Sequence, residues 1–161
     1  MVARWTGTWL EGPGATLGEI RRGPDGWLGK SLGLAQEGAN SVAPFSARLM
    51  AFVIDILACA LLGGLISSQL DHPSGTTRQL VAYGVLFVEH VLLVALTGQT
   101  FGMRLLGLKV LRLKDVSRVP GFLTAVLRTV PLLVSIGLTG FFTRDGRGLH
   151  DLAAGSVVVR A

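Results

Sequence analysis

The sequence has little charge and a single cysteine. Asp, Glu, Lys and Arg make up 16% of the 161 residues, whereas a soluble domain usually carries about 25%. Hydrophobic residues make up 50% of the chain, which leaves little polar chain to cover a soluble core. The lone Cys59 excludes an intrachain disulfide framework and a thiolate metal cluster. Together these shortages favour a membrane protein.

Motifs that bind nucleotides or catalyse reactions are also missing. The sequence has no GxxxxGK[ST], no GxGxxG after a strand and no HExxH. The sequence has no serine or cysteine in a nucleophile-elbow context that the His150-Asp151 pair could activate. We therefore expect Asp151 to cap a turn or to bind an arginine. We predict that the chain is not an enzyme and has no catalytic residue, metal ligand or cofactor.

Three long apolar stretches cover residues 49–70, 80–97 and 119–142. Each is close to the roughly 20 residues of helix that cross a hydrocarbon core. Pro131 interrupts the third stretch, and a proline inside a helix removes a hydrogen bond and kinks or ends the helix. We predict an all-α membrane protein with two transmembrane helices and a third, Pro-broken segment. That segment either re-enters as two short helices that break at Pro131 or crosses as one kinked helix.

The basic residues indicate the orientation of the chain. Residues 1–43 are predicted to form a flexible tail and residues 44–161 the membrane domain. The loop at 98–118 carries basic side chains that we expect to contact lipid headgroups, namely Arg104, Lys109, Arg112, Lys114 and Arg118. The positive-inside rule predicts a cytoplasmic location for this loop and for the N-terminus of a plasma-membrane protein. No aromatic residue is interleaved with these basic residues, so nucleic acid is not an expected partner.

Several ionisable residues lie inside the apolar stretches: Asp55, then Glu89 and His90, then Arg128. An acid or base at a helix centre costs about 2.5–3.5 kcal/mol when it faces lipid, so these side chains should face inward. Asp55 and Glu89 are the predicted partners of Arg128, with Arg48 nearer the cytoplasmic rim. His90 is expected to donate a hydrogen bond on its helix face. The cluster is either a proton or cation site or a buried ion-pair network that fixes helix packing.

The blocks ARLMAFVIDIL, LTGQTFGMRLLGLKVLRL and GLHDLAAGSVVVR resemble the RDD family of small prokaryotic membrane proteins. The family is named for an arginine and two aspartates, which the resemblance assigns to Arg48, Asp55 and Asp151, the last beside His150. Its Gly-Gln-Thr block and the glycines after it correspond to Gly98, Gln99, Thr100, Gly102 and Gly107.

The resemblance covers residues 44–161 and implies a membrane domain of a few helices with a link to transport. The family's usual lysine is replaced by Met103, and Ser156 stands where threonine is commoner. The segments at 108–113 and 156–160 are rich in β-branched or aliphatic residues. They are predicted either to pair as a small cytoplasmic β-ribbon or to lie apart at the membrane surface.

So few helices can hardly wall a solute path alone, so assembly is part of the functional prediction. We expect an ion or small-solute transporter that acts as a homo-oligomer or within a complex of membrane proteins in the bilayer. The alternative is a non-catalytic accessory subunit that stabilises another membrane protein. Ala60, Gly64 and Ser68 form a line of small residues that suits contact with a neighbouring helix. The sequence names no substrate.

Overall fold

A computed structural model describes residues 26–113, 119–134 and 147–161. Two long antiparallel helices, α1 (Phe45–Ser67) and α2 (Gly75–Thr97), form its frame. The hydroxyl group of Ser74 caps α2 by accepting a hydrogen bond from the backbone of Thr77. Gly98 ends α2 with a φ of 74°, a left-handed conformation that glycine adopts without steric cost.

Both helices are long and apolar enough to cross a membrane. Each has 23 residues, which corresponds to about 35 Å of helix. Only 28% of the most apolar window of each helix is buried, whereas the core helix of a soluble protein would be mostly buried. Their leucines are strongly exposed, for example Leu61 at 74% and Leu96 at 71%. The two predicted transmembrane helices are therefore present as candidate spans.

The two long helices approach most closely at Gly63. A Cβ atom at this position would lie 2.8 Å from the Cα atom of Ala82, so only glycine permits the contact. The predicted line of Ala60, Gly64 and Ser68 is exposed and turned away from α2. α1 therefore packs on α2 through Gly63, and the neighbouring line of small residues stays exposed for contact with another helix.

Two short strands confirm the predicted ribbon. The strands β1 (Leu108–Arg112) and β2 (Ser156–Arg160) pair antiparallel, with Val110 opposite Val158. A short helix, α3 (Phe101–Leu105), connects α2 to β1. The β-branched side chains of β2 are fully buried, as expected for a strand that is covered on both faces.

Part of the predicted flexible tail lies against this sheet. Val42 forms a bridge with Val159, and the backbone N–H of Ala43 donates to the carbonyl group of Val158. Leu34 is buried in a small apolar cluster with Leu111, Val157 and Val159. The chain therefore enters α1 directly from the sheet. Residues 1–25 of the predicted tail lie outside the described residues.

The third apolar segment forms α4 (Phe122–Val134), which contains Pro131 and continues for three residues beyond it. The predicted break at Pro131 is thus not observed, because the helix passes through the proline. Residues 135–142, which would form the returning half of the predicted hairpin, lie outside the described residues. A last short helix, α5 (Leu149–Ala153), precedes β2.

The main core joins the helices to the sheet. Ala51 of α1, Val94 of α2, Ala125 of α4 and Val158 of β2 are all buried in one cluster. Small side chains in α1 and α4 let these helices approach α2 and the sheet closely. The sheet and the ends of the helices that meet it therefore form one packed unit around the polar groups described next.

Candidate functional site

Asp55, Glu89 and His90 form one cluster between α1 and α2. His90 Nδ1 lies 2.7 Å from Glu89 Oε2 and 3.1 Å from the carbonyl oxygen of Leu86. His90 Nε2 faces Asp55 Oδ2 at 3.8 Å. The edge of the imidazole ring meets Phe52 at right angles, with the ring centroids 5.9 Å apart. We name these three residues the acid–histidine triad.

The start of α3 holds the two carboxylates in place. The hydroxyl group of Thr100 donates to Asp55 Oδ2 at 2.6 Å, and the backbone N–H of Gly102 donates to Asp55 Oδ1. The backbone N–H of Phe101 donates to Glu89 Oε1 at 2.9 Å. A Cβ atom on Gly102 would collide with the carbonyl oxygen of Ala51. Glycine at 102 therefore lets α3 approach α1 closely enough to bind Asp55.

A second cluster surrounds Asp151, whose side chain is fully buried. Arg128 Nε donates to Asp151 Oδ1 at 2.9 Å, and Arg48 Nη1 lies 3.5 Å from Asp151 Oδ2. Ser156 Oγ lies 3.4 Å from Asp151 Oδ1. Arg147 is also buried and donates to the backbone carbonyl groups of Asp151 and Ser156. These contacts join α1, α4, α5 and β2 at one carboxylate, and we name them the arginine–aspartate cluster.

Electrostatics keep Asp151 ionised. Burial opposes the charged form, but the positive charges of Arg128 and Arg48 outweigh it and lower the pKa of Asp151 to about 2. Burial also lowers the pKa of His150, to about 4, against the opposing effect of Asp151. His150 is therefore neutral at pH 7, so the arginines supply the positive charge around Asp151.

A cavity of about 40 Å³ lies between the two clusters. That volume has room for one or a few water molecules. Its wall combines apolar side chains with ionisable groups from both clusters: Phe45, Arg48, Leu49, Phe52, Asp55, His90, Met103, Arg128, Leu132 and His150. A polar cavity among apolar helices can therefore hydrate or bind a small polar species.

The RDD family model matches residues 42–155, which is most of the chain. The chain belongs to the RDD family. This confirms the resemblance seen in the sequence. No curated protein and no solved structure gives a significant match to the chain. Family membership together with two apolar helices long enough to span a bilayer identifies a membrane protein.

The RDD arginine and aspartates are divided between the two clusters. Arg48 and Asp151 contact each other, whereas Asp55 belongs to the acid–histidine triad. The loop positions of the family pattern build the support for Asp55: Gly98 ends α2, Thr100 and Gly102 bind the carboxylate, and Gln99 donates to the carbonyl group of Leu108 at 2.9 Å.

The other loop glycine, Gly107, precedes β1 with a φ of 63°. Its carbonyl group accepts a hydrogen bond from the backbone of Ala161. A left-handed residue at this point turns the chain into the strand. This RDD loop position therefore serves the sheet and not the carboxylate.

The predicted pairing of Arg128 with Asp55 and Glu89 is wrong. Arg128 binds Asp151 instead, and the two acids bind His90 and the start of α3. The sequence indicates that each buried charge needs a partner of opposite charge, but it does not indicate which of the possible partners lies close in space. The expectation that Asp151 binds an arginine is correct.

The residues predicted to contact lipid headgroups are only partly described. Arg104 and Arg112 are exposed and Lys109 is half-buried. Lys114 and Arg118 lie outside the described residues. The exposed pair lies at the sheet end of the long helices.

Sequence analysis did not identify two residues of the triad and the arginine–aspartate cluster, His90 and Arg147, as site residues. His90 connects both acids of the triad, and its position in the middle of an apolar helix was a usable signal. As predicted, it also donates to a carbonyl group of its own helix. Arg147 lies outside the apolar stretches, and nothing in its sequence context indicates burial.

Proposed function

We propose that this RDD protein is a non-enzymatic, transport-related protein of the plasma membrane that handles a small ion. The proposal depends on one observation, the cavity whose wall includes Asp55, His90, Arg48 and Arg128. Ionisable groups are costly at membrane depth, and where they occur they typically mark ion or substrate pathways.

Asp55 is the proposed ion-handling group. Asp55 lies ten residues after Phe45, the first residue of α1, which is about 15 Å along the helix axis. Its carboxylate borders the cavity and is only 1% exposed as a residue. A carboxylate in such a place can exchange a proton for a cation, because each neutralises the same negative charge.

We propose that the sheet end of the molecule faces the cytoplasm. Four basic side chains lie at or near this end, namely Arg48, Arg104, Arg112 and Arg160, whereas residues 68–79 at the opposite end have one, Arg78. The positive-inside rule favours the basic end as the cytoplasmic one. The pairing of β1 with β2 supports a third segment that leaves and returns on this same side.

Assembly completes the proposal. The two long helices and the shorter apolar helix α4 of the described residues do not enclose a path across a bilayer, and large apolar side chains remain exposed on α1 and α2. We propose that copies of this chain, or a larger host complex, supply the missing walls.

The flux test uses purified protein in vesicles that carry a pH gradient and a pH-sensitive dye. Addition of Na⁺, K⁺ or Mn²⁺ in separate runs should dissipate the gradient with the parent protein. Asp55→Asn should reduce this signal to that of empty vesicles, because asparagine has no negative charge. The variant should still fold, since the Thr100 hydroxyl group can accept a hydrogen bond from the new amide.

Asp71→Asn is the matched control, because Asp71 is an exposed carboxylate in the α1–α2 connection. It should leave the flux unchanged. Parent-like flux through Asp55→Asn, or no flux with any ion for the parent, would contradict the transport proposal. Loss of the Asp55→Asn protein from a detergent-stable complex, without any flux to lose, would favour the accessory-subunit alternative.

A further inference from the structure

The two nitrogen atoms of His90 have different surroundings. Nδ1 lies 2.7 Å from Glu89 Oε2 and 3.1 Å from the carbonyl oxygen of Leu86. Both oxygens are hydrogen-bond acceptors, so Nδ1 carries the hydrogen atom. In the neutral ring, Nε2 then presents a lone pair. Asp55 Oδ2 lies 3.8 Å from Nε2, and the side chain of His90 is only 2% exposed.

The distance between Nε2 and Asp55 Oδ2 is close to the distance between two ligand atoms of one metal ion. The atoms are 3.8 Å apart, which is too long for a direct hydrogen bond. Metal–nitrogen and metal–oxygen bonds of about 2.0–2.2 Å in a tetrahedral arrangement separate two ligand atoms by about 3.3–3.6 Å, so a small side-chain movement would bring both atoms within bonding distance of one ion. One ligand atom each from Asp55, Glu89 and His90 can be chosen so that all lie within 4.8 Å of one another.

The charge of the triad also favours a cation. Two carboxylates flank a single imidazole, so acidic groups outnumber the basic group in the triad. The hydroxyl and backbone donors at Asp55 and Glu89 offset this charge only partly. The cavity borders both Asp55 and His90, so water molecules can complete the coordination of a bound ion.

We propose that the acid–histidine triad binds one divalent first-row transition-metal ion through Asp55 Oδ2 and His90 Nε2. Imidazole nitrogen with carboxylate oxygen is a ligand set for ions such as Zn²⁺, Co²⁺ or Mn²⁺, whereas alkali ions favour oxygen alone. Glu89 is a positioning residue, because its carboxylate lies 2.7 Å from Nδ1, on the side of the ring opposite the proposed metal ligand Nε2. A carboxylate behind a metal-binding histidine commonly has this role.

This inference rests on the proposed function, because it names the class of ion that the proposed transporter would handle. Binding and flux are nevertheless separate measurements. Binding of Co²⁺ without any flux would leave the metal site standing and remove the transport proposal. Asp55-dependent flux of Na⁺ or K⁺ without Co²⁺ binding would do the reverse.

The test is a Co²⁺ titration of the full chain in detergent, purified without a histidine tag and followed by visible absorption and calorimetry. The parent should bind one Co²⁺ per chain, displaceable by Zn²⁺. His90→Gln should weaken binding more than about 100-fold, and Glu89→Gln about 10- to 100-fold, the range for loss of a supporting carboxylate. His72→Gln, which changes an exposed histidine in the α1–α2 connection, should bind like the parent.

X-ray absorption of the Co²⁺-loaded parent gives a second reading that needs no folded variant. The first coordination shell should contain one imidazole nitrogen and otherwise oxygen. A shell with sulfur from Cys59, or with no nitrogen, would overturn the site. So would the absence of stoichiometric Co²⁺ binding, or parent-like binding by a folded His90→Gln protein.

Discussion

At the residue scale, the carboxylate of Asp151 holds several distant elements of the fold together. It receives Arg128 from α4 and Arg48 from α1, and it lies in α5 next to β2. Because the side chains of Arg128 and Arg48 are only 3% and 11% exposed, each contact is little screened by solvent. Removal of one partner would leave a buried charge without compensation, which is the expensive case for ion pairs.

Arg128→Met should destabilise the protein by about 3–5 kcal/mol, the usual cost of breaking a buried pair by removing one partner. Methionine keeps the length and apolar stem of the side chain but not the bond to Asp151. The measurement is the free energy of unfolding in detergent micelles. Arg104→Met is the control, because Arg104 is exposed, and it should stay within about 0.5 kcal/mol of the parent. Equal stability of the two variants would show that the Arg128–Asp151 bond is not a major support.

At the element scale, glycines decide where the helices touch. Gly63 brings α1 against Ala82 of α2, and Gly102 brings α3 against Ala51 of α1. The second contact delivers the backbone donor to Asp55, so packing and site geometry have the same cause. The antiparallel arrangement of α1 and α2 places Asp55 beside His90, because their connection is short.

Gly63→Ala should destabilise the α1–α2 pair by about 1–3 kcal/mol, the usual cost of overpacking a close contact. The added Cβ atom would meet the backbone of Ala82, which has little freedom to move. Gly64→Ala is the matched control in the same helix, since a Cβ atom there meets nothing within 4 Å. It should be neutral or stabilising by up to about 1 kcal/mol, because alanine favours helix over glycine. Thermal unfolding of both variants in one detergent gives the comparison, and a reversed order would contradict the packing.

At the scale of the whole molecule, the polar and apolar parts are separated along the long helices. The sheet, α3 and α5 gather at one end, and exposed leucines cover the sides of α1 and α2. The arginine–aspartate cluster lies where the helices enter this end, and the acid–histidine triad lies further along α1 and α2. A membrane protein of this shape presents a basic face to one side of the bilayer and a short connection to the other.

The proposed orientation predicts which introduced cysteines react in intact cells. In a Cys59→Ala background, Asp71→Cys should react with a membrane-impermeant maleimide added outside. Arg112→Cys should react only after the membrane is permeabilised, because β1 belongs to the proposed cytoplasmic end. Both positions are exposed, so differences in burial do not explain a difference in labelling. Labelling of Arg112→Cys in intact cells would contradict the orientation.

The sequence by itself determined the features that depend on local pattern. The lengths of the apolar stretches predicted α1 and α2, because crossing a bilayer requires a set number of helical residues. The β-branched run SVVVR predicted β2, and the blocks shared with the RDD family predicted the membership that the family model confirms. These inferences need neighbours along the chain and nothing more.

Only the tertiary structure decided which charges meet. The cost of a buried charge requires a partner, but Coulomb attraction has no direction and does not say which partner is near. Arg128 reaches Asp151 because α4 packs against α5, and His90 reaches Asp55 because two helices lie antiparallel at a glycine contact. Likewise, the sequence left open whether the third segment breaks or only kinks at Pro131, and in the structure α4 continues through this proline. Such outcomes depend on contacts between distant segments, which no local pattern encodes.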